Sequence, residues 1–432
     1  MFRYLIILAV AVLLLSSMAC SRNKQAAPKL SEPAQNEETH LTPTFEGIAS
    51  QNNEFAFRIW NQVNRKGENL FLSPYSINTA MGMAYSGARG NTADEIAKAM
   101  AYPLAYDQMH EVFHESMEML NSMQARREAE FNIANALFNA DTNKERLVPG
   151  YQDILQKSFG SELYSLDFGK AKDTADFINT WVEKRTNSRI KDIVSEKQIQ
   201  DSSDGLVLVN AIYFKSNWNS QFAEENTIMD RFYTTSAREA NQQKAMPLMK
   251  QTGSFVYAEL PGYQLLEMPY TEREIVMLFV IPKDIEAAAQ ELTAETWQLW
   301  MESLARPRKV EVILPKFRLE TTLDKLVENF RELGMKDAFE PGSADFSGIL
   351  KMDGGRDLYI SNIVHKAFLE VLEKGTEAAA ATQIGFAKTS IGQPESEVPV
   401  FRADQPFFCA IVHKPTNEIL FIGKVVNPEI PE

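Results

Sequence analysis

The stretch Leu369-Glu-Val-Leu-Glu-Lys-Gly-Thr-Glu-Ala-Ala-Ala-Ala-Thr382 runs from an apolar, strand-like segment straight into four alanines and then into an ordinary polar loop. Glu and Ala are strong helix formers, and Ala loses no side-chain entropy, so Glu377 to Ala381 taken alone predicts a helix. Its surroundings oppose one. Gly375 interrupts the pattern, Thr382 and Ile384 favour strand, and Gly385 ends the run without an amphipathic repeat. A segment that is loop in one state and strand in another satisfies all of these residues. If Thr376 to Gln383 enters a sheet, Thr376, Ala378, Ala380 and Thr382 face one side and Glu377 and Gln383 the other. The first face is small and uncharged. A charged side chain at Thr376 would have to be buried, which is costly unless it is paired.

A chain of 432 residues allows two or three domains, yet no interior stretch reads as a linker. With 44% hydrophobic and 24% charged residues the chain can build a large core. A net charge of -14 argues against a nucleic-acid partner, which needs a basic surface. Residues 1–20 are of a different kind: Arg3, an apolar run from Tyr4 to Leu15, then Ser16-Ser-Met-Ala-Cys20. They read as an export signal, too short to span a membrane securely. Ala19-Cys20 resembles the cleavage site of bacterial lipoproteins, with Ser17 where that motif usually has Leu. The resemblance implies lipidation of Cys20 and anchoring at a bacterial outer membrane or cell surface; plain secretion is the alternative. The other cysteine, Cys409, lies within Phe407-Phe-Cys-Ala-Ile-Val412 and reads as buried, so no disulfide framework is expected. Residues 21–44 are polar and hold Pro28, Pro33 and Pro43, which predicts a disordered tether.

From residue 45 to 432 the pattern predicts a single α+β domain. Glu54 to Arg65 and Ser76 to Tyr85 have helical periodicity, and Asn91-Thr92 reads as a helix start. Leu206 to Phe214, Leu265 to Met268, Ile275 to Ile281, Val310 to Leu314 and Ile419 to Ile422 read as strands. Helices and strands in mixed order, with no regular repeat, fit the α+β class.

Eight blocks in order carry a family likeness: Asn69-Leu-Phe-Leu-Ser-Pro-Tyr-Ser-Ile77; Gly87-Ala-Arg-Gly-Asn-Thr92; Phe177-Ile-Asn-Thr-Trp-Val182 with Thr186 and Ile190; Leu206 to Lys215 with Trp218 and Phe222; Leu314-Pro-Lys-Phe317; Leu333-Gly-Met335 with Ala344-Asp-Phe-Ser-Gly-Ile349; Phe401-Arg-Ala-Asp-Gln-Pro-Phe407; and Leu420 to Pro428. Together they resemble the serpin family. Ser216 replaces a usual Gly, and Ser390 to Pro406 is several residues longer than common. The resemblance implies helices with three β-sheets and an exposed reactive loop over about residues 373–405 that can insert as a strand into the central sheet.

What the resemblance implies for function is a suicide-substrate inhibitor of serine endopeptidases, with no catalytic residue and no cofactor of its own and a monomer sufficing. The hinge would be Glu373, Gly375, Thr376, Ala378, Ala379, Ala380, Ala381 and Thr382. In family members the cut usually follows the residue sixteen beyond the hinge glutamate, which gives Thr389-Ser390, suited to elastase-like or subtilisin-like pockets. Lys388-Thr389 is the trypsin-like alternative, and Phe386 and Ala387 would fill neighbouring subsites. Ser73, Ser76, Asn210 and His365 resemble the polar cluster that controls sheet opening. Lys316 and Glu373, beside Trp218, resemble an ion pair near the top of the sheet. A non-inhibitory serpin acting as carrier or chaperone is the other reading; such members often have bulky, charged or proline residues in the hinge, whereas Thr376 and Ala378 to Ala381 agree with the inhibitory pattern.

His110-Glu-Val-Phe-His114 fits the H-E-x-x-H zinc pattern, but Met117 and Leu120 occupy the Gly and His positions of its extended form. Met109, Val112, Phe113, Met117 and Leu120 instead mark the apolar side of an amphipathic helix, and no metal site is expected.

Overall fold

The computed structural model describes residues 45–102, 106–126, 129–202, 205–271, 273–351, 358–376 and 398–431. The export signal, Cys20, the tether, Ala378 to Thr382, Phe386, Ala387, Lys388, Thr389 and Ser390 all lie outside the described residues.

The first third is helical: α1 (Phe45–Val63), α2 (Pro74–Gly87), α3 (Gly90–Met100) and α4 (Tyr106–Ala125), with α5 (Tyr151–Phe159) and α6 (Ala171–Arg185) after the first long strand. Ser73 caps α2, its Oγ accepting from the Ser76 amide at 3.1 Å, and Pro74 takes the first helical position, where a missing N–H costs nothing. Every residue of α2 is buried, as befits a helix with little polar surface. The α3 helix begins at Gly90, ahead of the expected Asn91-Thr92 start. Thr92 is buried and its hydroxyl accepts from the Asp345 amide, a tertiary bond in place of a cap.

The strands are β1 (Leu70–Leu72), β2 (Glu130–Ala140), β3 (Glu162–Leu166), β4 (Leu206–Asn217), β5 (Ile228–Tyr233), β6 (Gln243–Leu260), β7 (Tyr263–Pro269), β8 (Ile275–Pro282), β9 (Pro307–Pro315), β10 (Phe317–Leu323), β11 (Ile360–Val371), β12 (Gly375–Thr376), β13 (Val400–Arg402), β14 (Phe407–His413) and β15 (Glu418–Val425). All five expected strands are present. Where three sheets were expected, the described strands join into two hydrogen-bonded networks. The eighteen-residue β6 pairs in turn with β5, β9 and β7, and so fuses two of them into one nine-stranded network. The other has six strands in the order β10-β11-β12-β4-β2-β3.

At the centre of the six-stranded sheet, β4 and β11 lie parallel, from Leu206 opposite Ile360 to Tyr213 opposite Phe368. The pair is buried on both faces, which explains the unbroken apolar run in β4. Val207, Val209, Ala211 and Tyr213 pack under α6 with Ile178 and Val182, whereas Leu206 and Leu208 join the core around α1 and α2. Nearer the other end of β4, Ile212 and Phe214 meet the aromatic core beneath the nine-stranded sheet. Each fully buried Val, Leu, Ile or Phe among them contributes roughly 1.5–3 kcal/mol.

Candidate functional site

Two polar clusters punctuate the β4–β11 pair. At mid-length, Asn210 and His365 are cross-strand partners, and the imidazole Nδ1 meets Asn210 Oδ1 at short range. The Ser73 amide donates to His365 Nε2 at 3.1 Å, so Nε2 is the acceptor and Nδ1 carries the proton given to Asn210. Asn210 Nδ2 faces the Ser76 backbone carbonyl at 2.9 Å, the Ser76 hydroxyl at 2.5 Å and the side-chain Oδ1 of Asn135 on β2. Ser73 Oγ donates to the Leu420 carbonyl on β15 at 2.7 Å. The four expected residues therefore converge, and a fifth, Asn135, joins them. Burial holds the His365 imidazole neutral, its pKa pushed down to about 3.

At the Tyr213 end of the pair the chain leaves β11, turns at Leu372 to Gly375 and comes back as β12, which is two residues long. Gly375 pairs antiparallel with Asn217 and Thr376 with Ser216, while Thr376 also stands opposite Val371. Gly375 has φ +157, and a Cβ there would sit 2.2 Å from the Ser216 carbonyl oxygen, so only glycine passes so close to β4. Thr376 is completely buried, its hydroxyl 2.5 Å from that of Tyr270.

The turn is clamped from β4's end. The Trp218 amide donates to the Lys374 carbonyl and the Phe222 amide to the Glu373 carbonyl, both at 2.9 Å, and Trp218 Nε1 donates to the Leu372 carbonyl at 3.0 Å. The Glu373 carboxylate takes Lys316 Nζ at 3.1 Å and the Thr227 hydroxyl at 2.9 Å. Burial opposes its ionisation, but its own amide, Thr227 and Lys316 outweigh that, and its pKa is lowered. Lys316, Glu373 and Trp218 are thus together as expected.

A family model described as Serpin (serine protease inhibitor) matches residues 50–428. The chain belongs to the serpin family. The leukocyte elastase inhibitor of Xenopus tropicalis is 35% identical over 395 residues, 89% of this chain and 100% of that one. An uncharacterized serpin-like protein of Thermococcus kodakarensis is 37% identical over 382 residues, 87% of this chain and 85% of that one. Among solved structures, human thyroxine-binding globulin complexed with thyroxine gives a TM-score of 0.78 at 28% identity, covering 89% of this serpin and 100% of that chain.

Tyr270 and Asn135 escaped the sequence reading. Tyr270 follows the strand Leu265 to Met268, with nothing local to announce a partner more than a hundred residues away. Asn135 interrupts the apolar alternation of Phe131 to Leu137, which is the signal that could have exposed it. On α4 the zinc-like histidines serve a helix: His114 Nδ1 meets the Lys157 carbonyl of α5 at 2.9 Å, and Phe113 packs 4.9 Å from Phe159. No group of three or more metal-binding side chains exists among the described residues.

Proposed function

We propose that this serpin inhibits serine endopeptidases by offering the loop after Thr376 as substrate and trapping the enzyme when that loop enters the sheet between β4 and β11. The observation that carries the reading is the two-residue strand β12, an antiparallel start set at the end of a parallel pair. A strand returning from β11 runs antiparallel to β11 and β4 alike, so insertion exchanges one parallel pairing for two antiparallel ones, which are slightly more stable per residue.

The register supports this use. Six residues beyond Thr376, Thr382 would fall opposite both Asn210 and His365, six before Ser216 and Val371. Its hydroxyl would replace the bond that Asn210 and His365 lose on separation, so the cluster opens without stranding a buried donor. Phe386 and Ala387 would reach the foot of the pair at Leu206 and Ile360, placing Lys388, Thr389 and Ser390 just past the sheet. Everything between hinge and reactive bond would then be strand.

In the chemical step the protease serine oxygen bonds to the carbonyl carbon of Thr389, or of Lys388, and the peptide C–N bond breaks. The proton passes to the leaving amine, which departs as a new N-terminus. Insertion before water hydrolyses this ester holds the enzyme as an acyl complex. Incubating the domain with an elastase and with trypsin, followed by denaturing electrophoresis and mass spectrometry of the released peptide, tests the reading. A denaturant-resistant complex with a peptide beginning at Ser390 or Thr389 is expected; complete cleavage without a complex would move the function to carrier, chaperone or substrate.

A further inference from the structure

Tyr270 does not belong to the sheet that opens. It follows β7 of the nine-stranded network, and backbone bonds pin it against the end of β4: the Thr271 amide donates to the Asn217 carbonyl and the Asn219 amide to the Pro269 carbonyl, both at 2.9 Å. Its ring stacks on Trp218 with centroids 4.4 Å apart and planes 13° from parallel, and meets Phe214 edge-on at 5.0 Å. The phenol is fully buried and its position is fixed on all sides. Its hydroxyl touches Thr376, the residue that leads any insertion.

We propose that Tyr270 is a positioning residue for trapping: its hydroxyl holds Thr376 in the sheet before a protease arrives, so that insertion extends an existing strand rather than nucleating a new one. This rests on the trapping mechanism proposed above. Starting a strand orders several residues before many contacts form, and a hinge already paired with Ser216 has passed that stage. The socket also selects its occupant. Valine matches threonine in shape but leaves the Tyr270 hydroxyl buried without a partner, alanine adds a void to the same loss, and a long side chain does not fit. The linked Trp218, Leu372 and Lys374 contacts mean that one bond reports on the whole turn.

A double-mutant cycle tests the assignment, because removing one partner strands the other, whereas replacing both with apolar groups of the same shape is nearly neutral. Tyr270→Phe keeps the ring stack and Thr376→Val keeps the shape, so both variants should fold. Each single variant is expected to raise the ratio of cleaved to trapped serpin about fivefold, the factor one net hydrogen bond carries. The double variant should return to within about twofold of the parent. The second-order rate of loop acylation should not change, which separates positioning from docking. Single effects that simply multiply in the double variant, or singles that match the parent, would overturn the proposal. If the parent is cleaved without any complex, the trapping reading falls on its own. Amide exchange at Thr376, about fivefold faster in each single variant and restored in the double, then decides whether the Tyr270 bond holds the hinge.

Discussion

His365 and Glu418 are buried titratable groups whose effects on stability run in opposite directions with pH. His365 stays neutral when folded, with a pKa of about 3, while an unfolded histidine titrates near 6.5. Between those values the unfolded chain binds the extra proton, so stability falls as pH drops through that window. Glu418 is the reverse case. Burial, opposed by the Asn52 hydrogen bond, raises its carboxyl from 4.5 to about 7, and its Oε2 has no partner among the described residues. The native state keeps a proton that the unfolded chain sheds, so stability present below pH 4.5 is lost as pH rises through 7. Glu418→Gln keeps an acceptor for Asn52 and removes the charge. Urea unfolding should find it more stable than the parent at pH 8, by on the order of 3 kcal/mol, and little changed at pH 4.5. No gain at pH 8 would mean that the carboxyl is not held neutral. Cys409 plays no comparable part, since burial pushes its thiol up, away from reactivity.

Among the elements, the hinge is where the proposed insertion makes its sharpest demand, a small inward face. Thr376 is already fully buried where a longer side chain would meet Tyr270, so Thr376→Arg has to expel β12 from the sheet or bury a guanidinium. It should still be cut at the loop but trap at least about tenfold less often, a loss of some 1.4 kcal/mol in the competition with hydrolysis. Complexes formed at the parent's yield would show that this position does not enter the sheet. Of the expected hinge, Gly375 and Thr376 are seen in the sheet, while Ala378 to Thr382 lie outside the described residues; the turn at Gly375 was legible because glycine after an apolar strand is a local pattern. Ser73, Ser76, Asn210 and His365 were legible only through family likeness, since each alone reads as a satisfied core polar residue. Their bonds span up to 347 residues, as from Ser73 to Leu420, and no local signal carries such a contact. Tyr270 was missed for that reason. The start of α3 was misplaced because a threonine that looks like a cap is used for packing against Asp345.

For the molecule as a whole, the trapping mechanism proposed above makes the parallel β4–β11 pair a stored rearrangement. Buried side chains grip it from both faces, and the Asn210–His365 bond closes it at mid-length. On that mechanism the more stable arrangement is one strand away, behind the barrier of parting two packed strands. The native fold on this account is held kinetically rather than as the most stable arrangement. The core strands follow from apolar pattern, but the strand order and the stored rearrangement do not, because they depend on which strands lie side by side and which two run parallel. The most direct test is the thermal midpoint before and after a single cut within the loop. Strand insertion predicts that the cut form melts at least about 10 °C higher, since several kcal/mol of new pairing each add a few degrees. A cut form that melts at or below the intact one would contradict insertion, and with it the trapping mechanism.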